Sequence, residues 1–168
     1  MRADLGAEPP PDVEGGPGWV IDGATLRPRI TDLRAFREGM STDALGEAVE
    51  TLWSGDPTPA RELLHTADPS VRVRALLADC ARDLGEFEDA LWAYADLLAE
   101  CTGSPWEPVL RQHYGKTLLA ADRPQEALEQ FEVAYAQRVQ AGAPADQLAS
   151  SAQARDRTRQ MVGLPRRS

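Results

Sequence analysis

Two stretches decide how this chain is read: Leu84-Gly85-Glu86-Phe87-Glu88-Asp89-Ala90-Leu91-Trp92-Ala93-Tyr94 and Ala121-Asp122-Arg123-Pro124-Gln125-Glu126-Ala127-Leu128-Glu129-Gln130-Phe131. Laid over one another they share a frame: a turn residue, an acidic residue, Ala-Leu, then an aromatic four positions beyond the alanine. Ala90 falls on Ala127, Tyr94 on Phe131, and Leu97 on Ala134. A weaker third copy runs through Gly55, Ala60, Leu64 and Ala67, with an aliphatic in place of the aromatic. Repetition of this kind favours a stack of like units. The alternative is an irregular helical bundle in which Ala-Leu-x-x-Tyr/Phe recurs by chance.

Outward from the repeats, the apolar spacing is helical. Leu45, Val49 and Leu52 share one face at i, i+4 and i+7. Gly55-Asp56-Pro57 stops that helix, and Thr58-Pro59 reads as the cap and first turn of the next. Asp68-Pro69-Ser70 opens a third helix, Glu86 to about Glu100 makes a fourth, and about 107–121 a fifth. Asp122-Arg123-Pro124 leads into a sixth, and a last helix follows Gly142 and Pro144 to Met161. No interval alternates over strand length, so a sheet has little support. Upstream, a short helix fits about 31–39. Trp19-Val20-Ile21 fits an extended strap or a local hydrophobic plug on the helical body, ended by Asp22-Gly23.

The shared frame resembles the tetratricopeptide repeat, which has Gly at a turn, Ala early in the second helix and an aromatic one turn later. The resemblance implies an all-α fold: a right-handed superhelical stack of antiparallel helix pairs, with a C-terminal capping helix. It covers about 41–141, with repeats at about 41–68, 71–104 and 107–141, and 144–162 as the cap. The distance from Ala90 to Ala127 exceeds the family's usual period, and the excess falls in the loop Gly103-Ser104-Pro105-Trp106. Residues 19–40 form an N-terminal strap and short helix. Residues 1–18, acidic and rich in Pro and Gly, read as a disordered tail, and 163–168 as a flexible basic end.

Composition narrows the function. With a formal net charge of −9 and a pI near 4.7, the chain lacks the basic character that phosphate backbones require, so no nucleic-acid partner is expected. No signal-peptide core and no spanning run of apolar residues is visible, so a cytoplasmic protein with no membrane partner is expected. Cys80 and Cys101 have no ligand or disulfide spacing and read as reduced core residues. The basic residues number 18, and Lys116 is the sole lysine. With so much Ala and Pro, that skew fits GC-rich coding such as an actinobacterium's.

Chemistry is sparse. Gly115-Lys116-Thr117 ends like a phosphate loop, but Leu110 stands where that loop needs its first glycine. His65 and His113 have no partners at metal-ligand spacing. Neither a metal, a cofactor nor a catalytic residue is expected, and the chain reads as a non-enzyme. A pocket joining His113 to a carboxylate or a thiol is the arrangement that would speak for catalysis.

The resemblance instead implies a non-catalytic protein–protein interaction module, an adaptor or regulatory subunit that takes a partner segment along the concave face. The groove positions would be Leu45 and Val49, then Arg72, Ala75, Asp79, Arg82 and Asp83, then Gln112, Lys116 and Leu119. The residues that clamp a chaperone's C-terminal carboxylate in this family are missing: Leu45 and Val49 occupy the first clamp positions. Trp106 would add a loop contact, as exposed tryptophan does at interfaces. Self-assembly through the first repeat or the terminal helix, giving a homodimer, is the alternative. Arg155, Arg157, Arg159, Arg166 and Arg167 read as a basic end that either faces solvent or supports such contacts.

Overall fold

The structure, a computed structural model, describes residues 7–163. The first six residues of the expected tail and nearly all of the expected basic end, including Arg166 and Arg167, lie outside them. Most of the described chain is helical. After three short strands, β1 (Val13–Gly16), β2 (Trp19–Ile21) and β3 (Pro28–Ile30), come α1 (Leu33–Gly39), α2 (Gly46–Trp53), α3 (Pro57–His65) and α4 (Val71–Asp83). Then follow α5 (Phe87–Cys101), α6 (Glu107–Ala120), α7 (Pro124–Gln140) and α8 (Ala145–Met161). From α2 onward each helix packs on the next in the chain, and α4 also touches α6.

Capping explains the starts. The Asp32 side chain accepts from Ala35 N at α1, and Ser70 accepts from Val73 N at α4. Prolines stand in the first turns of α3, α6 and α7, where a missing N–H costs nothing. Helix α3 begins at Pro57, so Thr58 lies inside it rather than capping it.

The aligned positions are buried alike. Ala60, Ala90 and Ala127 are fully buried, and so are Leu64, Tyr94 and Phe131 one turn later. The turns match as well. Gly85 takes φ +79°, and Asp122 at the aligned position takes φ +59°. At each, the next N–H reaches back to close the helix end: Glu86 N to Ala81 O, and Arg123 N to Leu118 O. Gly115 has a different reason. A Cβ there would lie 2.5 Å from the Phe131 ring, so the glycine lets α6 and α7 approach.

The expectation of no sheet is corrected. β1, β2 and β3 form an antiparallel meander in that order, with Val13 opposite Ile21 and Trp19 opposite Ile30. Strands this short give alternation too little length to show, and a bulge between Glu14 and Gly16 interrupts it further. Residues 13–16, expected to be disordered, are therefore a strand. Asp22 makes the tight connection by accepting from Ala24 N, Thr25 N and Thr25 Oγ1. It leaves Leu26 at φ +59°, an uncommon conformation for a branched side chain, and Leu26 is nonetheless buried with Leu91, Leu118 and Phe131.

The meander lies against the helices. Gln153 of α8 donates to Pro11 O at 2.8 Å and to Ile21 O at 2.9 Å. Arg157 Nε donates to Ala24 O, and Gln160 Nε2 to Glu8 O. At the other end Trp19 packs on Trp53, ring centroids 4.5 Å apart. The Trp-Val-Ile strap is thus one strand of a cover reaching from α2 to α8.

Candidate functional site

Between cover and helices lies a cavity of about 380 Å³. Its floor comes from alternate helices: Trp53 of α2, Leu76, Asp79 and Arg82 of α4, Gln112, His113, Lys116 and Leu119 of α6, and Ser150 of α8. Arg138, near the end of α7, also lines it, and the roof is Trp19, Ile21 and the Ala24–Pro28 turn.

Five of the expected groove residues meet here: Asp79, Arg82, Gln112, Lys116 and Leu119. The others do not line it. Arg72 is spent on a two-point ion pair with Asp43, at 2.9 and 2.7 Å. The Ala75 carbonyl accepts from Tyr94 OH. Asp83 sits beside the cavity, held by Arg82 Nε at 2.8 Å and by Arg27 of the roof at 3.2 Å. Val49 is buried in the core with Phe36, and Leu45 packs against the same cluster. Trp106 is 40% exposed at the start of α6, in a loop fastened by Gly103 N donating to Glu107 Oε2. That bond, with those from Gln137 and Arg111, pulls the Glu107 carboxyl down to about 2.

Asp79 is the centre of a buried network. Its Oδ1 accepts from Tyr94 OH at 2.6 Å and from Arg82 Nη1 at 2.9 Å, and its Oδ2 lies 3.2 Å from His113 Nδ1. Burial alone would raise its pKa, but the charges of Arg82 and His113 and the bonds from His113 and Tyr94 outweigh it and hold the carboxyl below the ordinary range. Burial and the neighbouring Asp79 push the Tyr94 phenol the other way, well above its usual value. Cys80, next along α4, is pushed up to about 11 by burial, and both cysteines are free and buried. A thiol held protonated in this way is a poor nucleophile.

Lys116 is treated differently. No hydrogen bond or ion pair to its side-chain ammonium forms among the described residues. It keeps some exposed surface, yet enough protein surrounds it that desolvation, with Arg82 and Arg138 nearby, lowers its pKa to about 8 against the opposing pull of Asp79. Arg138 likewise meets no carboxylate at ion-pair distance among the described residues. Its Nη1 donates to Gln147 O and to Ser150 and Ser151 hydroxyls, while its buried Nε has no partner.

Several of these groups escaped the sequence. Arg138, Ser150 and Arg27 carry no motif, and Trp19, expected in a strap on the helical body, meets them only because the cover folds over the helices. The basic residues of α8 are also placed in new terms: Arg155 pairs with Asp156 and lies over the Tyr135 ring, and Arg159 reaches Glu132. Among the described residues no three His, Cys, Asp or Glu side chains gather as a metal-ligand set, and no helix is long and apolar enough to cross a membrane. Comparisons with protein-family models, with curated proteins and with solved structures found no match to this chain.

Proposed function

We propose that this chain is a tetratricopeptide-like helical repeat protein that works by binding, as an adaptor or regulatory subunit, through the face formed by α2, α4, α6 and α8. One observation carries the reading: that face already holds a stretch of polypeptide, the short meander of the cover. The cover is gripped through its main chain, at the carbonyls of Pro11, Ile21 and Ala24, and through one charged anchor, Arg27 on Asp83. Main-chain hydrogen bonds with a few side-chain anchors are how a groove reads an extended segment. Residues 8–30 therefore stand where a partner segment would lie, and the tether gives them an effective concentration on the order of millimolar. A partner has to displace them. The superhelical arrangement is part of the proposal; contributions from every second helix to one face support it.

The test is direct. A labelled peptide of residues 8–30 is titrated, with anisotropy as readout, against the wild type and against a double variant, Leu26→Asp with Arg27→Ala, whose own cover is loosened while the residues of the face are kept. Micromolar binding to the folded variant and at least tenfold weaker binding to the wild type is the expected result. No binding to either would mean that the face does not read polypeptide.

A second reading rests on the 3.2 Å contact of His113 with Asp79 at the cavity wall. A carboxylate orients a histidine in this way for acid–base work. Against it, the same carboxylate is shared with Arg82 and Tyr94, and the neighbouring thiol is held protonated. Hydrolysis of an activated ester that disappears in His113→Ala while peptide binding persists would move this reading ahead.

A further inference from the structure

The cavity carries an inference that goes beyond partner binding. Its one lining acid, Asp79, is answered by Arg82, Tyr94 and His113, and Asp83 beside it by Arg82 and Arg27. Among the described residues Lys116, Arg138 and Arg157 meet no carboxylate at ion-pair distance; Arg157 is engaged by Ala24 O and Gln160, Asp146 acts on Arg138 only from further off, and the Arg138 Nε is buried with no partner. Burying a positive charge without its counterpart is costly. Yet Lys116 is the chain's single lysine among its 18 basic residues, and it stands here. Apolar side chains stand beside them, Trp19 from the roof with Trp53, Leu76 and Leu119 from the floor, in a lining that also holds the polar Thr25, Arg27, Gln112, His113, Ser150 and Arg157. At about 380 Å³ the space falls within the range of small-molecule sites, roughly 300–1,000 Å³.

We propose that this chamber binds a small organic anion, a carboxylate-sized head on an apolar body, with Lys116 and Arg138 receiving the head and Trp19, Trp53, Leu76 and Leu119 enclosing the body. Gln112, whose side chain reaches Ser150 O and Ser151 on α8 at only 3.3 and 3.4 Å, is placed to turn toward the head. Since Trp19 belongs to the cover and the others to the helices, an occupant would fasten one to the other. The missing counter-charge also sets how the site responds to mutation. A neutral side chain of similar length at position 116 removes an uncompensated charge, so it relieves the empty protein while disabling the site.

The experiment follows tryptophan emission and the unfolding midpoint while full-length protein is titrated with octanoate, 1-octanol or octylamine. Octanoate is expected to bind at least tenfold more tightly than 1-octanol, and octylamine more weakly than either. In Lys116→Met the preference for octanoate over 1-octanol should vanish while the midpoint of the empty protein stays level or rises; Lys116→Arg should keep the preference. Equal binding of octanoate and 1-octanol by the wild type, a preference that survives in Lys116→Met, or no response to any of the three would each overturn the proposal. Peptide binding by the loosened-cover variant is measured separately, so failure here leaves that reading standing on its own evidence.

Discussion

The middle of the molecule and its two ends are held together by different chemistry. In α5 and α7 the buried positions are Ala90, Leu91, Tyr94, Leu97, Cys101, Ala127, Leu128, Phe131 and Ala134, with Arg138 near the end of α7 the one charged exception. In α8 they are Ser151, Gln153, Thr158, Arg159 and Gln160, with Ala154 the one apolar member. The first set makes a core whose stability comes from area removed from water. The second makes a seam, in which Gln153 and Gln160 meet the carbonyls of the cover while Ser151 and Arg159 bond to α6 and α7. Such bonds contribute about 0.5–1.5 kcal/mol each, because water offers nearly the same to both partners once they part. A core of the first kind persists; a seam of the second can open without unfolding what lies beneath it.

That contrast can be attacked at several strengths. The largest effect is expected at Asp79→Ala, where a carboxylate and its arginine are buried together. It would strand the buried Arg82 and take from Tyr94 its shorter hydrogen bond. The loss should be about 3–5 kcal/mol in urea unfolding, and a loss under about 1 kcal/mol would show that the network does not hold the core.

Lys116 supplies a pH signature. Its pKa lies near 8 when folded, against an ordinary 10.5. Between those values the unfolded chain holds a proton that the folded chain has released, so stability rises with pH there, by on the order of 1–3 kcal/mol. Tyr94 works in the opposite sense above about pH 10, where the unfolded phenol ionises and the folded one does not. The difference between wild type and Lys116→Met isolates the lysine, and a flat difference across that window would mean that its charge is well solvated.

Gln153→Ala sharpens the seam. Removing the bonds to Pro11 O and Ile21 O should cost about 1–2 kcal/mol and speed amide exchange in residues 8–30, leaving α5 and α7 protected. Exchange rising equally in the core would erase the distinction between the two regions. Smallest of all, Asp122→Gly should stabilise by about 0.5 kcal/mol, because glycine takes the left-handed conformation freely. A loss of stability there would show that the Asp122 side chain contributes more than its backbone shape suggests.

What was legible in the sequence follows the same division. The buried Ala90, Tyr94, Ala127 and Phe131 announced themselves because apolar packing on helices leaves a period. Asp79, Arg82, Gln112, Lys116 and Leu119 were set on one face only through the family resemblance that this period supports. Residues 13–16 and the roof could not, since a strand of three or four residues has almost no period and its register comes from a turn at Asp22 and from contacts with α8, more than 100 positions away. Polar burial on α8 leaves no signature either: Ser151 and Thr158 look the same in a solvated helix. The pairing of His113 with Asp79 joins α6 to α4, and no spacing rule connects them.

One consequence is mechanical. Because Gln160 holds the carbonyl of Glu8, the two ends of the described chain are clasped side by side, and a pull applied across them loads that clasp before any helix. The bonds of the cover lie along one seam, with Gln153 next after Gln160, so they would give way in turn, as a zip does, under a modest force. Only when the last had parted would the load reach the packed alanines and aromatics, which must yield together. A molecule built this way resists stretching twice, first softly and then hard.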